Sequence, residues 1–191
     1  MIEEIIKKIR ARKQKNKTLF IAIDGRGGSG KTTLAKKLQH ILQKSTIVHL
    51  DDIVYPIEGA DRRRLLDQVI IPLENNHIAK YQKYNYKTQK LSDEWNEILP
   101  GDIVIIEGVS SLHSDLRNHF TYTIWVECPP EIGFQRGVAR ELVLQGKDVT
   151  ENWVKYMKEE EQYIQQQHPQ EIVNIIIDYQ DIEKEQIESM I

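Results

Sequence analysis

The sequence predicts a doubly wound α/β fold, in which one parallel β-sheet carries helices on both faces. The first observation is a set of five short runs that are apolar almost throughout, as strands buried on both faces are. They cover residues 18–24, 45–51, 102–108, 122–128 and 171–179. The second observation is that stretches with helical spacing separate most of these runs, so right-handed crossovers can join parallel strands. At 191 residues, the chain also has the size of one domain rather than two.

The helices are predicted in chain order from the spacing of apolar side chains. An amphipathic stretch at 2–9 opens the chain and is either an interface between copies, in a homo-oligomer, or a flank packed on the core. Residues 31–43 form the helix between the first two strands. Two further helices are predicted within 129–167, broken near 146–148, with Thr150 as the N-cap of the second one.

The connection between the second and third strands, residues 53–101, is longer than a plain crossover requires. It holds one helix-like stretch at 61–73 and then a segment rich in Tyr and Lys at 81–90. Long excursions of this kind in compact domains are usually functional. We therefore expect this insert to contribute to a binding site.

Composition and charge argue against several classes of protein. Hydrophobic residues make up 40% and charged residues 29% of the chain, which is ordinary globular composition. The formal net charge of -3 gives no electrostatic reason to expect a nucleic-acid or anionic-membrane partner. Cys128 is the only cysteine, and no stretch has the apolar length of a signal peptide or a membrane span. We therefore expect a cytoplasmic protein that binds neither nucleic acid nor a membrane.

The segment 25–32 reads GRGGSGKT and is a full match to the phosphate-binding P-loop pattern GxxxxGK[ST]. It lies between a predicted strand and a predicted helix, so backbone N–H groups and the helix N-terminus can converge on phosphates. Lys31 is expected to reach the β- and γ-phosphates, and Thr32 to ligate Mg²⁺. The predicted cofactors are therefore ATP or GTP with Mg²⁺. The predicted nucleotide-binding residues are Gly25, Arg26, Gly27, Gly28, Ser29, Gly30, Lys31, Thr32 and Thr33.

Carboxylates are predicted at the same sheet edge as the P-loop. The second predicted strand ends in Asp51 and Asp52, and the third ends in Glu107. Neighbouring side chains on a strand point to opposite sides, so one of the two aspartates is expected to face the nucleotide. Such a carboxylate can orient an acceptor hydroxyl, take its proton and bind the metal through water. The alternatives are a turn cap for the aspartate pair and a surface acid for Glu107.

With these residues in view, the chain resembles the uridine kinase and phosphoribulokinase family of P-loop kinases. The segments that carry the resemblance are IDGRGGSGKTTLA, LDDIVYP, IVIIEGVSSL, IWVECPPEIGFQRGVARE and LQGKD. The resemblance implies a three-layer P-loop NTPase fold with a five-stranded parallel sheet, helices on both faces and a helical lid. It implies one kinase domain over 1–191, with a substrate-binding insert at about 53–100 and the lid at about 134–150. The implied reaction phosphorylates a small alcohol.

The resemblance also implies roles for individual residues. Asp51 takes the position of the catalytic base, and Glu107 contacts substrate or metal. The resemblance makes Arg136 and Arg140 the arginines of the lid. The alternative is that these two side chains, four residues apart, form one solvated face of a helix. The implied catalytic residues are Asp51, Lys31, Arg136 and Arg140, and the metal ligands Thr32, Glu107 and Asp51. The implied substrate-binding residues are Asp51, Tyr55, Asp61, Tyr84, Gln89 and Glu107.

The sequence departs from the family pattern in the segment that reads the pyrimidine. The family has a YDF segment followed three residues later by His, whereas this chain has Asn85 and Gln89 at those positions. A nucleoside remains the first expectation for the acceptor, because Gln89 offers a donor and an acceptor and Tyr84 can stack. Pantothenate or a sugar phosphate are the alternatives, and a regulatory P-loop NTPase is the rival class. Cations that could bind a sugar phosphate are Arg62, Arg63, Arg64, Lys80, Lys83, Lys87 and Lys90.

Overall fold

The computed structural model describes residues 1–54, 62–85, 88–146 and 148–188. In chain order the strands are β1 (Leu19–Gly25), β2 (Ser45–His49), β3 (Ala79–Asn85), β4 (Lys90–Ile98), β5 (Ile103–Glu107), β6 (Tyr122–Glu127) and β7 (Ile175–Asp178). Five of them form a parallel sheet in the order β2-β5-β1-β6-β7, and β3 and β4 form a separate antiparallel hairpin. The predicted α/β fold with a five-stranded parallel sheet is confirmed.

The helices cover both faces of this sheet. They are α1 (Ile2–Arg12), α2 (Lys31–Ile41), α3 (Leu50–Ile53), α4 (Arg63–Leu65), α5 (Ile71–Glu74), α6 (Pro130–Gln145), α7 (Thr150–Gln167) and α8 (Tyr179–Glu188). A π-helical turn (Leu66–Ile70) joins α4 to α5 without a break. No helix in the described ranges is both long and apolar enough to cross a membrane.

Each face of the sheet has its own hydrophobic core. Alternate residues of a strand point to opposite faces, so Ile105 packs in one core and Val104 in the other. The first core includes α1, α2 and α8, and the second includes the helical part of the insert. The apolar face of α1 is buried in the first core. Of the two alternatives for this helix, the packed flank is therefore the one observed.

The strand register brings the carboxyl ends of three strands together. Ile23 of β1 lies beside Glu107, the last residue of β5. His49, the last residue of β2, lies beside Glu107 on its other side. The P-loop begins at the end of β1, so loop and carboxylate share one sheet edge, as the sequence predicts.

The insert contains a β-hairpin that sequence patterns do not predict. Tyr81 is buried in β3 while its neighbour Lys80 is exposed, and most of β4 is exposed. A hairpin with one face in solvent lacks the continuous apolar run by which buried strands are recognised. The predicted substrate-binding residues Tyr55 and Asp61 lie outside the described residues.

Three element boundaries differ from the prediction. Strand β2 ends at His49, so Asp51 lies in the helical turn α3 rather than on a strand. Thr150 is the first residue of α7 rather than its N-cap, and its N–H and hydroxyl both donate to Asp148, at 2.8 and 2.6 Å. The last strand covers only Ile175–Asp178, and the helix α8 that follows it was not predicted.

Candidate active site

The side chain of Lys31 lies inside the P-loop and bonds to its backbone. Its Nζ donates to the carbonyl oxygens of Gly25, at 3.0 Å, and Arg26, at 2.7 Å, and the side chain is only 8% exposed. An ammonium group has three N–H donors, and two of them are used here to fix its position across the loop. Helix α2 begins at Lys31 itself, which directs the positive helix N-terminus to the same place. This loop can bind an anion.

Gly28 shows why the P-loop needs glycine. Its φ of 74° lies in the left-handed region that side chains disfavour. A Cβ at this position would also overlap the backbone carbonyl group of Gly133 in α6. The loop therefore packs against α6 backbone to backbone.

A cavity of about 360 Å³ opens beside the loop. It is lined by Gly28, Ser29, Gly30, Lys31, Thr32, Thr33, Arg136, Arg140, Tyr179 and Ile182. The structure thus places both predicted lid arginines at the P-loop. The Arg136 guanidinium lies 4.5 Å from the centroid of the Tyr179 ring, which is cation–π distance. Sequence analysis missed Tyr179 and Ile182, although their position directly after the last strand is one where α/β proteins bind ligands.

Thr32 and Glu107 form a pair of oxygen donors near the loop. The Thr32 hydroxyl donates to Glu107 Oε1 at 2.9 Å, and His49 Nδ1 lies 2.5 Å from the same oxygen. Burial alone would raise the pKa of Glu107, but His49 and then Lys31 outweigh it and lower the pKa. The hydrogen bond to Glu107 raises the pKa of His49 against the effect of burial. His49 is a site residue that sequence analysis missed.

The oxygens of Thr32 and Glu107 can supply only part of the coordination shell of a magnesium ion. Mg²⁺ prefers hard oxygen ligands and usually keeps several waters, using one or two carboxylates plus substrate phosphates. Thr32 and Glu107 supply such oxygens. In the part of the chain that the structure describes, no group of three or more His, Cys, Asp or Glu side chains is arranged to hold a metal by itself.

Asp51 lies within electrostatic range of the P-loop, whereas Asp52 is engaged elsewhere. Although Asp51 keeps an exposed surface, the surrounding protein removes enough water to raise the pKa of its carboxyl group, and Lys31 opposes this effect. Glu107 raises the same pKa, and Arg140 lowers it. Asp52 forms an ion pair with Lys83 of the insert at 2.8 Å. The two neighbouring aspartates therefore have different surroundings.

Asp24, directly before the P-loop, is a fully buried carboxylate that sequence analysis missed. It accepts hydrogen bonds from the N–H groups of Gly25, Ser110 and Leu112, at 2.7, 3.1 and 2.9 Å, and from the hydroxyl of Tyr163, at 2.6 Å. Burial raises the pKa of Asp24, and the Tyr163 hydroxyl and backbone donors oppose this rise. Asp24 thus joins the P-loop, the loop after β5 and helix α7.

A second contact holds α7 against the P-loop. Glu160 is 4% exposed and accepts hydrogen bonds from the N–H of Gly27, at 2.5 Å, and from the Arg26 guanidinium, at 3.2 Å. Arg26 also pairs with Glu161 at 2.8 Å. Burial raises the pKa of Glu160, while these donors lower it. The side chain of Arg26 is therefore directed to α7.

The helices α6 and α7 meet at Gly137. A Cβ on Gly137 would overlap the ring of Trp153, which is 6% exposed. We expect Gly137→Val to lower the free energy of unfolding by about 2–3 kcal/mol, because overpacking against a rigid ring outweighs any gain in helix propensity. For a chain of this length the midpoint of thermal unfolding should fall by roughly 4–12 °C.

The matched control for this prediction is the double variant Gly137→Val with Trp153→Phe. The smaller Phe ring should restore part of the lost stability, because the two positions are in contact and their effects are not additive. An unchanged thermal midpoint in the single variant would contradict the close packing described here.

Two predicted substrate residues lie in the hairpin. Tyr84 is half-buried in β3 opposite Leu91 of β4. Gln89 is an exposed turn residue with a φ of 54°. The roles of both residues in binding the acceptor remain predictions.

Comparison with known proteins finds that the chain is similar to proteins named as kinases. A family model described as AAA domain matches residues 21–165. The uridine kinase of Borrelia turicatae is 25% identical over 143 residues, which cover 67% of this chain and 69% of that protein. The uridine kinase of Latilactobacillus sakei is 24% identical over 163 residues, which cover 76% and 77%. The resemblance to uridine kinases is thereby confirmed.

Solved structures share the fold at low sequence identity. A "possible uridine kinase" from Bacillus stearothermophilus aligns with a TM-score of 0.69 at 23% identity, covering 93% of this chain and 97% of that one. A D-glycerate 3-kinase from Cryptococcus neoformans aligns with a TM-score of 0.63 at 14% identity, covering 94% and 96%. These similarities concern the fold alone.

Proposed function

Because the chain belongs to the AAA domain family and resembles uridine kinases, we propose that it transfers the γ-phosphoryl group of ATP or GTP to a hydroxyl of a small metabolite. The observation that carries this proposal is the cavity that Lys31 of the P-loop and Arg140 of α6 both line, together with the lowering effect of these two cations on the pKa of Asp51. Phosphoryl transfer requires mainly positioning and charge stabilisation. A phosphate loop, two cations and a carboxylate within their electrostatic range can provide both.

Each residue has a proposed task in the reaction. Asp51 orients the acceptor hydroxyl and takes its proton, and its raised pKa makes it a stronger base than an ordinary aspartate. Lys31 and Arg140 neutralise charge that spreads over the transferred phosphoryl oxygens. Thr32 and Glu107 would hold Mg²⁺, which when bound would neutralise charge on the nucleotide phosphates. Arg136 and Tyr179 line the cavity proposed to bind the nucleotide.

The acceptor is the open part of this proposal. Relatives named uridine kinase favour a nucleoside, which is also the first expectation from sequence. Pantothenate and sugar phosphates are alternatives within the same reaction class. A regulatory NTPase that hydrolyses nucleotide for a protein partner is the rival class.

A phosphorylation screen separates these alternatives. ATP and GTP are each incubated with Mg²⁺ and with nucleosides, pantothenate, sugar phosphates or short hydroxy acids, and product formation is compared with acceptor-free hydrolysis. The proposal expects transfer to at least one acceptor at a rate well above hydrolysis. Fast hydrolysis that no acceptor changes would instead indicate the regulatory class.

The cavity wall provides a prediction about nucleotide binding. We expect Tyr179→Ala to raise the KM for nucleotide about tenfold with little change in kcat, because the loss of an aromatic surface weakens contact with a base. Tyr179→Phe is the matched control and should retain the wild-type KM, since it keeps the ring. Initial rates at varied nucleotide concentration measure both constants. Equal KM values for the Ala and Phe variants would remove this ring from the nucleotide site.

A further inference from the structure

We propose that His49 is a positioning residue for Glu107, which it holds so that one carboxylate oxygen is left for the cation that accompanies the nucleotide. The inference rests on the proposed kinase function and deepens its account of the magnesium site. Its basis is a chain of hydrogen bonds that leads from the edge of the sheet through Glu107 to Thr32 of the P-loop.

The sheet itself fixes His49 beside Glu107. Parallel pairing of β2 with β5 places the two residues side by side, each at the last position of its strand. Side chains at paired positions of neighbouring strands lie on the same face of a sheet. On its other side Glu107 is paired with Ile23 of β1, whose side chain has no polar atom. Of these two neighbours in the sheet, only His49 can donate a hydrogen bond to the carboxylate.

The donors to Glu107 share one of its two oxygens. His49 Nδ1 lies 2.5 Å from Oε1, and the Thr32 hydroxyl donates to the same oxygen at 2.9 Å. Among the residues that the structure describes, none donates a hydrogen bond to the other oxygen, Oε2. Glu107 is only 5% exposed, so little bulk water can replace a lost donor. Two donors on Oε1 therefore fix the carboxylate and leave Oε2 for a ligand.

The ionised state of Glu107 determines which atom carries the proton of its bond to His49. Burial raises the pKa of Glu107, but His49 and then Lys31 outweigh it and lower the pKa, so the group is a carboxylate at neutral pH. A carboxylate only accepts hydrogen bonds, so Nδ1 of His49 is the donor. Nδ1 can donate in the neutral or the protonated imidazole. The proposed role therefore requires no change in the protonation of His49.

Thr32 connects this pair to the nucleotide cavity, which it lines. A hydroxyl group has one proton to donate and two lone pairs that can accept a proton or bind a cation. Because Thr32 gives its proton to Glu107, the lone pairs of its oxygen remain available. Thr32 and Glu107 thus offer one hydroxyl oxygen and one carboxylate oxygen, and Mg²⁺ prefers such ligands.

The exposure of His49 favours this role over a purely structural one. Its side chain is 34% exposed, so its removal would leave little buried cavity and should have little effect on folding. Residues that orient a metal ligand without touching the metal typically contribute about 10- to 100-fold to metal affinity or activity. We therefore expect the loss of His49 to weaken metal-assisted nucleotide binding more than stability.

The test compares four proteins: the wild type, His49→Phe, His49→Asn and His40→Ala. Phe keeps a ring but has no donor, whereas the amide nitrogen of Asn can replace Nδ1 as the donor. His40 is an exposed histidine of α2 and serves as the matched control. Calorimetry measures the Kd of a non-hydrolysable ATP analogue, once with excess Mg²⁺ and once with EDTA in its place. Thermal unfolding shows that each variant is folded.

Wild-type binding should be tighter with Mg²⁺ than in EDTA. His49→Phe should raise the Kd with Mg²⁺ about tenfold and change the Kd in EDTA by no more than about twofold. His49→Asn should recover most of the lost affinity, and His40→Ala should match the wild type. In a Glu107→Gln background, His49→Phe should cause no further loss, because both substitutions break the same contact.

Three results would overturn the inference. They are a wild-type Kd that Mg²⁺ does not change, an unchanged Kd with Mg²⁺ in His49→Phe, and equal losses in His49→Phe and His49→Asn. A Kd that rises equally with Mg²⁺ and in EDTA would indicate a damaged loop and would also overturn it. These binding measurements use no acceptor. An absence of transfer in the phosphorylation screen would therefore contradict the kinase function separately.

Discussion

Lys31→Ala is expected to abolish measurable phosphoryl transfer, a loss of at least about 1000-fold in kcat. The Nζ group is buried and fixed across the P-loop by the carbonyl oxygens of Gly25 and Arg26. Its removal deletes the positive charge proposed to stabilise the transferred phosphoryl group, and it leaves two carbonyl groups without their donor. The measurement is the rate of product formation at saturating nucleotide and acceptor.

Lys36→Ala is the matched control for this variant, because Lys36 is an exposed lysine about 1.4 turns further along the same helix. It should retain wild-type rates. Thermal unfolding of Lys31→Ala shows whether the loss reflects chemistry or a disordered loop. Transfer that survives in a folded Lys31→Ala protein would exclude this lysine from the reaction.

Asp51→Asn is expected to lower kcat by about 100- to 10,000-fold while nucleotide binding stays nearly intact. The substitution keeps the size of the side chain and removes the carboxylate that is proposed to accept the hydroxyl proton. Rates of transfer and direct titration with nucleotide measure the two effects separately. Unchanged transfer would remove Asp51 from the role of base.

Asp52→Asn distinguishes the two neighbouring aspartates. Because Asp52 pairs with Lys83, its substitution should affect the attachment of the insert, with a change in kcat of no more than about threefold.

The pH profile of the transfer rate gives a second way to distinguish Asp51 from Asp52. Asp51 must be ionised to act as base, and its pKa is raised, so activity should fall with decreasing pH at a higher pH than for an ordinary aspartate. Asp51→Asn should lose that limb of the profile.

Much of the fold could be predicted because the relevant signals are local. The strands of the central sheet are buried on both faces, which produces continuous apolar runs that stand out in the sequence. The P-loop is a contiguous segment whose glycines are required by its own backbone. Glu107 was correctly placed at a strand end for the same reason. The β3-β4 hairpin was not predicted because only one of its faces is buried.

Other parts of the candidate site could not be predicted because they depend on contacts between distant residues. His49 and Glu107 are 58 positions apart in the chain and meet only through the register of β2 on β5. Tyr163 reaches Asp24 across 139 positions. Arg62 reaches Ser110 across 48 positions.

The sequence by itself thus determined the parallel sheet, the phosphate loop and the position of Glu107 at a strand end, since each depends on neighbouring residues in one segment. The tertiary structure alone decided how α7 is fixed to the P-loop, that the Tyr179 ring lines the cavity and that Arg62 bonds to the loop after β5. These features follow from the packing of separate elements, which residue spacing along one segment does not encode.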